Sequence, residues 1–342
     1  MVKLAEILNP TEDAIGQVVD ALLLGEVVAL PTETVYGLAG IISNDTPLEK
    51  IFEVKERPLF DPLIVHVLDF PSLRDLVDID STLLDKVWRL ADIFCPGPLT
   101  FVLRKKKIIS HIISAGKKTV AIRIPAHPVF REVLRRSGPL AAPSANPFGY
   151  VSPTCAEHVQ ASIGDKIPYI LDGGPCEVGV ESTILDLSRK HFTVLRPGAI
   201  TAEMIENVLG EKIEPYHSFI TTDFSAPGML KQHYSPQTKL RLFKQSVKEI
   251  SESISQNIAI IYVSRKEAQL QSNKLEKEKN IFWFSEDGDL SEIAHNMFAL
   301  LQRLDKINFD MICSQVPEKV GIGIAINDRL GRAAAKRKDM GR

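Results

Sequence analysis

The chain has 342 residues, of which 44% are hydrophobic and 25% charged, and its formal net charge is −2. This length accommodates about two globular domains, and the near-neutral charge excludes a polycation that binds nucleic acid nonspecifically. The apolar runs are strand length, and the N-terminus lacks an apolar core, so we expect no membrane span and no signal peptide. The four cysteines form no CxxC pair, which favours free thiols in a cytoplasmic protein over a zinc site.

Helix and strand patterns alternate through residues 1–212, which predicts a mixed α/β domain. Thr11 is placed to cap a first helix that ends at Gly25, and residues 27–30 follow as a buried strand. Pro47 is placed to start a second helix. One long helical stretch, SLRDLVDIDSTLLDKVWRLADIF, and one short one, HPVFREVLRRSG, are predicted further on. The other segments are predicted to be strand-like: PLIVHVL, LTFVLRK, TVAIRIP, LAAPSAN, PYILDGG, STILDL and FTVLRPG.

Residues 213–237 have little periodicity and several prolines, which predicts a linker. The α/β pattern restarts in residues 238–342, where four strand-like segments are separated by helical ones: LRLFK, NIAIIYV, NIFWFS and DMICSQV. This pattern predicts a second, smaller, Rossmann-like domain with a parallel sheet. The basic tail RLGRAAAKRKDMGR is interpreted as a solvated helix end, and a weak RNA contact is the alternative.

Three common catalytic motifs are absent from the sequence. There is no GxxxxGK[ST] phosphate loop, no GxSxG nucleophile elbow and no HExxH metal helix. GIGIAIN, near residue 321, has two glycines but lacks the third of a dinucleotide fingerprint, and close packing of a strand on a helix explains it better.

The stretch VVALPTETVYGLAG, residues 27–40, raises the question of function. A buried strand stops abruptly in hydroxyls, a carboxylate and a phenol. A turn initiated by proline is one explanation. The other is a ligand site, because ligands bind at strand ends in open α/β sheets.

Arg123 is the second unusual residue, because it lies within the predicted strand TVAIRIP. Period-two alternation places Thr119 and Arg123 on one face and three apolar side chains on the other. A buried arginine is costly unless an anion meets it. An internal Asp or Glu would serve, and so would a substrate carboxylate held bidentately. His66 also lies within a predicted strand, where a half-buried structural histidine is the plainer interpretation.

Further arginines and hydroxyls follow the other predicted elements. Lys55 and Arg57 close the second helix, where a charged C-cap is the structural alternative. The others occupy loops or strand ends, namely Ser144, Asn146, Ser152, Ser182, Thr183 and Arg196. This set has no obvious nucleophile, general base or metal cage. It suits a site that holds anions and orients reactants, as nucleotidyl transfer requires.

Seven segments in this order resemble the YrdC-like family of threonylcarbamoyl-AMP synthases: PTETVYGL, KERPLFDPLIVHV, PGPLTFVL, VAIRIPAHP, APSAN, GVESTILD and LRPG. The segment APGMLKQHYSP and the α/β region after it, including NDR at 327–329, resemble the long, two-domain form of these enzymes. The resemblance implies a twisted mixed-sheet YrdC-like domain around a positively lined cavity. It implies that L-threonine, bicarbonate and ATP form L-threonylcarbamoyl-adenylate with release of pyrophosphate. Mg²⁺ would enter with ATP, and no organic cofactor is implied.

The resemblance also implies a partner and a set of site residues. A tRNA threonylcarbamoyl transferase complex would use the product to modify an adenosine beside the anticodon. The implied catalytic residues are Lys55, Arg57 and Asn146. The implied threonine contacts are Thr34, His66, Arg123, Ala142 and Ser182. The implied ATP contacts are Arg57, Asp61, Thr119, Ser144, Ser152, Arg196 and Tyr234.

Two features of the resemblance carry separate expectations. Asp61 stands where relatives commonly have Asn; an ionised Asp beside the triphosphate needs Mg²⁺ or a Lys or Arg between them. Lys231, His233 and Tyr234 lie within four residues of the linker, which predicts a lid over the cavity rather than a passive tether.

Two other functions are weighed against this one. The first is a carbamoyl transferase of the hydrogenase-maturation type, but the zinc fingers and acylphosphatase-like domain of those proteins are not found in the sequence. The second is a non-catalytic RNA-binding translation factor, against which the near-neutral charge and the threonine-pocket residues argue.

Overall fold

The computed structural model describes residues 4–214, 216, 233–246, 257–271 and 279–335. The strands within them are β1 (Glu6–Leu8), β2 (Val28–Leu30), β3 (Gly37–Ile41), β4 (Ile64–His66), β5 (Leu99–Arg104), β6 (Thr119–Arg123), β7 (Leu140–Ala141), β8 (Tyr169–Leu171), β9 (Thr183–Asp186), β10 (Thr193–Arg196), β11 (Leu240–Phe243), β12 (Ile258–Ser264), β13 (Ile281–Ser285) and β14 (Met311–Gln315). The helices are α1 (Glu12–Leu23), α2 (Thr46–Lys55), α3 (Phe70–Leu76), α4 (Ser81–Phe94), α5 (His111–Ser114), α6 (Pro128–Ser137), α7 (Ala156–Ile163), α8 (Ala202–Leu209), α9 (Arg265–Gln271), α10 (Leu290–Asp305) and α11 (Gly323–Ala333).

The described residues divide into two compact units. The first holds the residues up to Phe148 together with Ser152–Glu177 and those from Glu181 through Tyr216. The second holds the residues from His233 onward together with Gly149–Val151 and Val178–Val180. Most of the predicted linker, including Lys231, lies outside the described residues, so the boundaries at 212 and 237 stay a prediction.

The first unit contains one mixed sheet in the order β1-β8-β2-β3-β7-β4-β6-β5-β9-β10. Parallel and antiparallel neighbours alternate irregularly: β4 pairs parallel with β6, while β5 pairs antiparallel with β6 and parallel with β9. The predicted mixed α/β class of this domain is confirmed.

Helices cover both faces of this sheet. On one face, α1 and α6 pack together and bury Val18, Leu22 and Phe130 against apolar side chains of β2, β3 and β8. On the other face lies the larger core, to which α2, α4, α7 and α8 contribute, with Ile51 and Leu90 among its fully buried members. Burial of both faces fixes the register, because a slip of one residue would turn every side chain of a strand to the wrong face.

Helix ends in this unit follow the sequence signals. The Thr11 hydroxyl caps α1 by accepting a hydrogen bond from the Ala14 amide at 3.3 Å. The long predicted helix over residues 72–94 is wrong as a single element, because it is two helices, α3 and α4. Between them, Val77 bridges Lys105, and the Asp78 amide donates to the Arg104 carbonyl at 2.9 Å, so this segment follows β5 instead of continuing a helix.

The second unit contains a parallel sheet in the order β11-β14-β12-β13, as the four predicted strand segments indicated. Polar side chains at the carboxyl ends of its strands bond to their neighbours. Gln315 accepts from the Val263 amide at 3.0 Å and donates to the Lys244 carbonyl at 3.1 Å. Ser285 likewise accepts from the Gly288 amide at 2.9 Å.

Because the sheet is parallel throughout and helices separate β12, β13 and β14 along the chain, the predicted Rossmann-like parallel domain is confirmed.

Two interpretations of the C-terminal sequence need correction. In GIGIAIN, a Cβ at Gly323 would lie 2.1 Å from the Glu318 carbonyl oxygen, so this glycine serves the turn into α11 rather than strand–helix packing. The basic stretch after it is not simply a solvated helix end: Arg329 and Arg332 are 0% and 3% exposed, and both contact Asp328.

Among the residues that the structure describes, no helix is long and apolar enough to cross a membrane.

Candidate active site

A row of neighbouring residues crosses the middle of the large sheet. In the strand register, His66 of β4 lies beside Arg123 of β6, and Arg123 lies beside Thr100 of β5. Thr100 is paired in turn with Ile184 of β9, and Ile184 lies beside Arg196 of β10. The sheet therefore brings together three predicted site residues that are far apart in the sequence.

The predicted alternation in β6 is present. Val120 and Ile122 belong to the larger core, whereas Ala121 belongs to a small apolar cluster on the opposite face with Ile64 and Val102. Arg123 shares the face of Ala121, so the row lies on the same face of the sheet as this small cluster.

Arg123 makes polar contacts with three other residues. It is 4% exposed, and its Nη1 donates to Thr34 Oγ1 at 2.8 Å, while its Nε donates to the Gly97 carbonyl at 3.3 Å. Its Nη2 lies 2.8 Å from Glu33 Oε1 in an ion pair. Of the two partners that the sequence left open for Arg123, the internal carboxylate is the one it contacts in this structure.

The polar tip of the β2–β3 connection supplies these partners. Thr32 Oγ1 accepts from the Thr34 and Val35 amides at 3.1 Å and donates to the Val35 carbonyl at 2.6 Å. The Thr32 and Thr34 hydroxyls are 2.8 Å apart. The Tyr36 hydroxyl donates to the Gly174 carbonyl at 2.8 Å. PTETVYG is therefore a tightly bonded turn that aims Glu33 and Thr34 at Arg123.

The charge state of Glu33 depends on Arg123. Burial alone would raise the pKa of this carboxyl, but the Arg123 guanidinium offsets burial and holds the pKa below its usual range. The Glu33 side chain is 7% exposed. A buried carboxylate is thus kept ionised mainly by one buried arginine.

His66 is fully buried rather than half-buried, with 2% of its surface exposed. Its ring lies 5.2 Å from that of Phe130, and its Nδ1 has no hydrogen-bond partner among the described residues. Burial, then the charge of Arg123, lower the pKa of His66 well below its usual range. The imidazole is therefore neutral at pH 7 and retains an unused ring nitrogen.

A second group of hydroxyls lies at the other end of the row. The hydroxyls of Thr100 and Ser182 are 2.7 Å apart. Arg196 donates to the Ser182 hydroxyl from Nη2 and to its carbonyl from Nε, both at 3.1 Å. Gly198 allows the turn after β10 to pack here, because a Cβ would lie 2.4 Å from the Thr183 amide nitrogen. Ser182 and Arg196, predicted for different substrates, are in direct contact.

Lys55 connects α2 to the APSAN loop. Its Nζ donates to the Ser144 carbonyl at 2.5 Å and to the Asn146 carbonyl at 2.6 Å, and the residue is 1% exposed. Burial, then the charge of Arg57, lower the pKa of this amine well below its usual range, while Asp61 acts in the opposite direction. Lys55 is therefore a buried residue that fixes the APSAN loop by hydrogen bonds to two of its carbonyls, rather than a solvated C-cap.

Arg57 and Asp61 form a buried pair, with Nη2 and Oδ2 2.9 Å apart and both side chains 3% exposed. Arg57 Nη2 also donates to the Pro62 carbonyl at 2.7 Å. Burial raises the pKa of Asp61, and the charges of Arg57, Lys55, Arg196 and Lys117 lower it in part. The Asp61 carboxyl is thus surrounded by cations, with Arg57 in contact, while its position beside the triphosphate stays a prediction.

The remaining predicted residues have more local surroundings. Ser152 is fully buried and donates to Glu181 Oε1 at 2.5 Å. The Ala142 amide donates to the Ile64 carbonyl at 3.0 Å beside the row, and Thr119 lies half-buried at the start of β6. Asn146 is buried in the APSAN loop, and its side-chain amide donates to the Pro147 carbonyl at 2.9 Å.

Tyr234 belongs to the second unit, unlike the other predicted site residues. It is 1% exposed and has a positive φ of 62°. The Arg329 guanidinium lies 5.2 Å from its ring centroid, and the Phe298 ring lies 5.7 Å away. Tyr234 is therefore supported from α10 and α11, and its proposed contact with ATP stays a prediction.

Three site residues were missed from the sequence: Glu33, Thr100 and Glu181. Each is a buried polar residue inside a segment that carried a recognised motif, namely PTETVYGL, PGPLTFVL and GVESTILD, and membership of those motifs was the available signal. Among the described residues there is no group of His, Cys, Asp and Glu that would hold a metal ion.

A groove of about 630 Å³ along α1 contains none of the predicted site residues. The site itself offers buried arginines, a buried lysine and hydroxyls, a set suited to binding anions.

Comparison with known proteins gives the family. A family model described as Telomere recombination, for Sua5, YciO and YrdC proteins, matches residues 20–198. A second, described as Threonylcarbamoyl-AMP synthase, C-terminal domain, matches residues 200–335. The chain is 36% identical over 317 residues to threonylcarbamoyl-AMP synthase of Pyrococcus abyssi, covering 92% of each protein. It belongs to the threonylcarbamoyl-AMP synthase family.

Other threonylcarbamoyl-AMP synthases match at similar levels. The Bacillus subtilis protein is 35% identical over 343 residues, covering 96% of this chain and 95% of its own length. The structure of P. abyssi Sua5 complexed with L-threonine matches with a TM-score of 0.84 and 32% identity, over 97% of this chain and 96% of that one. The structure of a P. abyssi Sua5 variant with an adjacent His and Tyr changed to Ala matches with a TM-score of 0.85. The resemblance predicted from the motifs is confirmed over both domains.

Proposed function

We propose that the chain forms L-threonylcarbamoyl-adenylate from L-threonine, bicarbonate and ATP, and releases pyrophosphate. The observation that carries this function is the match to threonylcarbamoyl-AMP synthases over both domains, at 35–36% identity across more than nine-tenths of the chain. The two arginines of the row in the large sheet support it, because the carboxylate of threonine, bicarbonate and the phosphates of ATP are anionic groups that must be held together. These relatives favour neither a translation factor nor a carbamoyl transferase of hydrogenase maturation.

On the threonine side, we propose that Arg123 binds the carboxylate, with Thr34, His66, Ala142 and Ser182 around the rest of the molecule. Arg123 and Thr34 are already in contact, and His66 lies beside Arg123 in the register. The neutral His66 ring, with its unused Nδ1, suits a hydroxyl rather than a charged group.

On the ATP side, we propose that Arg57, Arg196, Ser144, Ser152, Thr119 and Asp61 surround the nucleotide, with Lys55 and Asn146 holding the APSAN loop. Lys55 and Arg57 lie close enough for the charge of one to lower the pKa of the other. A phosphate placed near them would relieve this repulsion. Mg²⁺ enters as part of the substrate, as the counter-ion of ATP, and no organic cofactor takes part.

The reaction has two bond-forming steps. The amine of threonine combines with bicarbonate or CO₂ to form a carbamate. A carbamate oxygen then attacks the α-phosphorus of ATP, and pyrophosphate leaves. This second step needs alignment and charge neutralisation more than proton transfer, which the arginines and hydroxyls of the site provide.

Pyrophosphate release tests this function directly. We expect release only when ATP, Mg²⁺, threonine and bicarbonate are all present, together with a product of the mass of threonylcarbamoyl-adenylate. The matched controls omit one reactant at a time. Equal release without threonine would show that the chain hydrolyses ATP and does not make this adenylate.

Serine tests the fit of the amino-acid pocket, because it lacks only the methyl group of threonine. One methyl in a well-packed pocket changes specificity by roughly 1–3 kcal/mol, so we expect kcat/KM for serine to be about 10- to 200-fold lower. The measurement is pyrophosphate release at limiting amino acid. If the two amino acids have the same kcat/KM, the pocket does not recognise the methyl group.

Downstream of the reaction, we propose that a tRNA threonylcarbamoyl transferase complex takes the adenylate in the cytoplasm. The four cysteines, which form no disulfides here, agree with a reducing compartment. Burial of Arg329 and Arg332 removes two of the basic side chains from the weak RNA contact considered for the tail.

A further inference from the structure

The buried carboxylate of Glu33 has no role in the mechanism above. Its Oε1 lies 2.8 Å from Arg123 Nη2, and the Glu33 and Ala126 backbone amides are near enough to help lower its pKa, but neither oxygen has a contact of good hydrogen-bond geometry with the described residues. A buried carboxylate normally satisfies its oxygens, because leaving them unused costs free energy. The Glu33 oxygens can therefore accept further hydrogen bonds, and they lie next to Arg123, which we assign to the threonine carboxylate.

The Arg123–Glu33 pair matches the charges of a free α-amino acid. One buried cation and one buried anion lie side by side, and an amino acid carries a carboxylate and an ammonium on a single carbon. A ligand with both charges can exchange the internal ion pair for two pairs of its own, so no charge is left buried and unpaired. A ligand with only a carboxylate would leave Glu33 without a cation.

We propose that Glu33 binds the ammonium group of the amino-acid substrate and accepts one of its protons before the nitrogen–carbon bond forms. This inference rests on the proposed function for the identity of the reaction. Recognition of the two charges, however, depends only on the site and is tested separately below.

The surroundings of Glu33 support the proton transfer. Arg123 is the charged side chain in contact with it, and three titratable groups interact with it electrostatically: burial lowers the pKa of His127, raises that of Cys95 to about 12 and raises that of Cys176. These three groups are therefore neutral at pH 7. Once the substrate carboxylate occupies Arg123, the ammonium becomes the cation beside Glu33. Transfer of its proton then neutralises both, which a buried site favours.

Carbamate formation with Glu33 as the proton acceptor takes two steps. An N–H bond of the ammonium breaks, its electron pair stays on nitrogen, and the proton moves to a Glu33 oxygen, giving the free amine and a neutral carboxyl. The nitrogen lone pair then forms the bond to the carbon of bicarbonate, the C–OH bond of bicarbonate breaks, and the hydroxide leaves as water with a second proton from nitrogen, which gives the carbamate anion. Glu33 returns its proton to solvent after the product departs.

The first test compares two ligands on the full chain by calorimetry: L-threonine, and 2,3-dihydroxybutyrate, in which a hydroxyl replaces the ammonium. We expect the wild-type chain to prefer threonine at least 30-fold, and Glu33→Gln to reduce that preference at least tenfold. Glu26→Gln, which removes a carboxylate from a surface ion pair with Lys50, is the matched control and should retain the preference.

Two results of this comparison would overturn the proposal. One is equal affinity of the wild-type chain for both ligands, which needs no variant. The other is an equal loss of both ligands in Glu33→Gln, which would mean that Glu33 only positions Arg123. Glu33→Asp keeps the charge and is used if Glu33→Gln does not fold. If both variants fold, Glu33→Asp should prefer threonine more strongly than Glu33→Gln does. If only Glu33→Asp folds, its preference for threonine should stay within tenfold of wild type. Complete loss of the preference in Glu33→Asp would contradict the proposal.

The second test measures kcat against pH with saturating substrates. Without a proton acceptor, the reaction depends on amine that is already free, so kcat of Glu33→Gln should fall about 100-fold or more at pH 7. It should then rise about tenfold per pH unit towards the pKa of the amine, while the wild-type profile changes much less. Parallel profiles for the two proteins would overturn proton acceptance by Glu33.

The two proposals fail in different ways. If the wild-type chain releases no pyrophosphate with threonine, bicarbonate and ATP, the proposed function fails, while the ligand comparison still decides whether Glu33 recognises an ammonium group. If pyrophosphate is released and Glu33→Gln leaves both the ligand preference and the pH profile unchanged, the inference fails and the function stands.

Discussion

Arg123→Ala is expected to abolish useful threonine binding while leaving ATP binding nearly unchanged. Arg123 lies at the centre of the row, is 4% exposed, and holds Thr34 and Glu33 through its two terminal nitrogens. Loss of a buried, charge-assisted contact with the threonine carboxylate costs about 2–5 kcal/mol, or roughly 30- to 4,000-fold in Kd. Calorimetry with each substrate separately gives both affinities.

This variant also leaves Glu33 without its cation, so stability needs its own control. The double variant Arg123→Ala/Glu33→Gln removes the unpaired charge and separates loss of fold from loss of binding. Arg135→Ala, on the exposed side of α6, is the matched arginine control; its side chain is 56% exposed. Unchanged threonine affinity in folded Arg123→Ala would refute the assignment of Arg123 to the carboxylate.

Asp328→Asn is expected to destabilise the second unit strongly. The Asp328 side chain is 2% exposed, and its two oxygens contact Arg329 Nη1 at 2.8 Å and Arg332 Nε at 2.9 Å. The substitution takes the charged contact from two buried guanidinium groups at once. Breaking a buried ion pair costs about 3–5 kcal/mol in the free energy of unfolding. Hydrogen exchange of peptides from β11–β14, compared with β2–β6, reports the two units separately.

The same unit offers a matched control. Asp287→Asn removes a carboxylate from an ion pair with Lys266 in which the two side chains are 73% and 70% exposed. Surface pairs contribute little, so this change should stay within about 0.5 kcal/mol of wild type. Similar protection of β11–β14 in the two variants would show that Asp328 is not a stabilising centre of this unit.

The sequence was sufficient for elements whose patterns are local. Alternation in TVAIRIP placed Thr119 and Arg123 on one face of β6, and the four apolar segments after residue 238 are the four strands of the second sheet. The first pattern depends on which face of a strand is buried and the second on burial of both faces, and a single sequence contains that information.

Contacts between distant segments were not available in this way. Arg123 contacts Thr34, 89 residues away, and Lys55 contacts the Ser144 carbonyl, also 89 residues away. A lysine at the end of α2 has the signature of a solvated cap, and only the fold shows that the APSAN loop covers it. The same holds for Arg329, since a run of basic residues does not reveal which of them face a core.

The row across the large sheet constrains how this protein can change during evolution. His66, Arg123 and Thr100 meet because of strand register rather than loop conformation, and Arg196 joins them across an irregularity in the pairing of β9 with β10. A substitution on the row alters one side chain and leaves its neighbours in place. An insertion or deletion of one residue within β6 would instead turn Arg123 towards the apolar side of the sheet and bring its neighbours to the row. We therefore expect gains and losses of residues to be tolerated between the strands, and divergence of the site to proceed by point substitution.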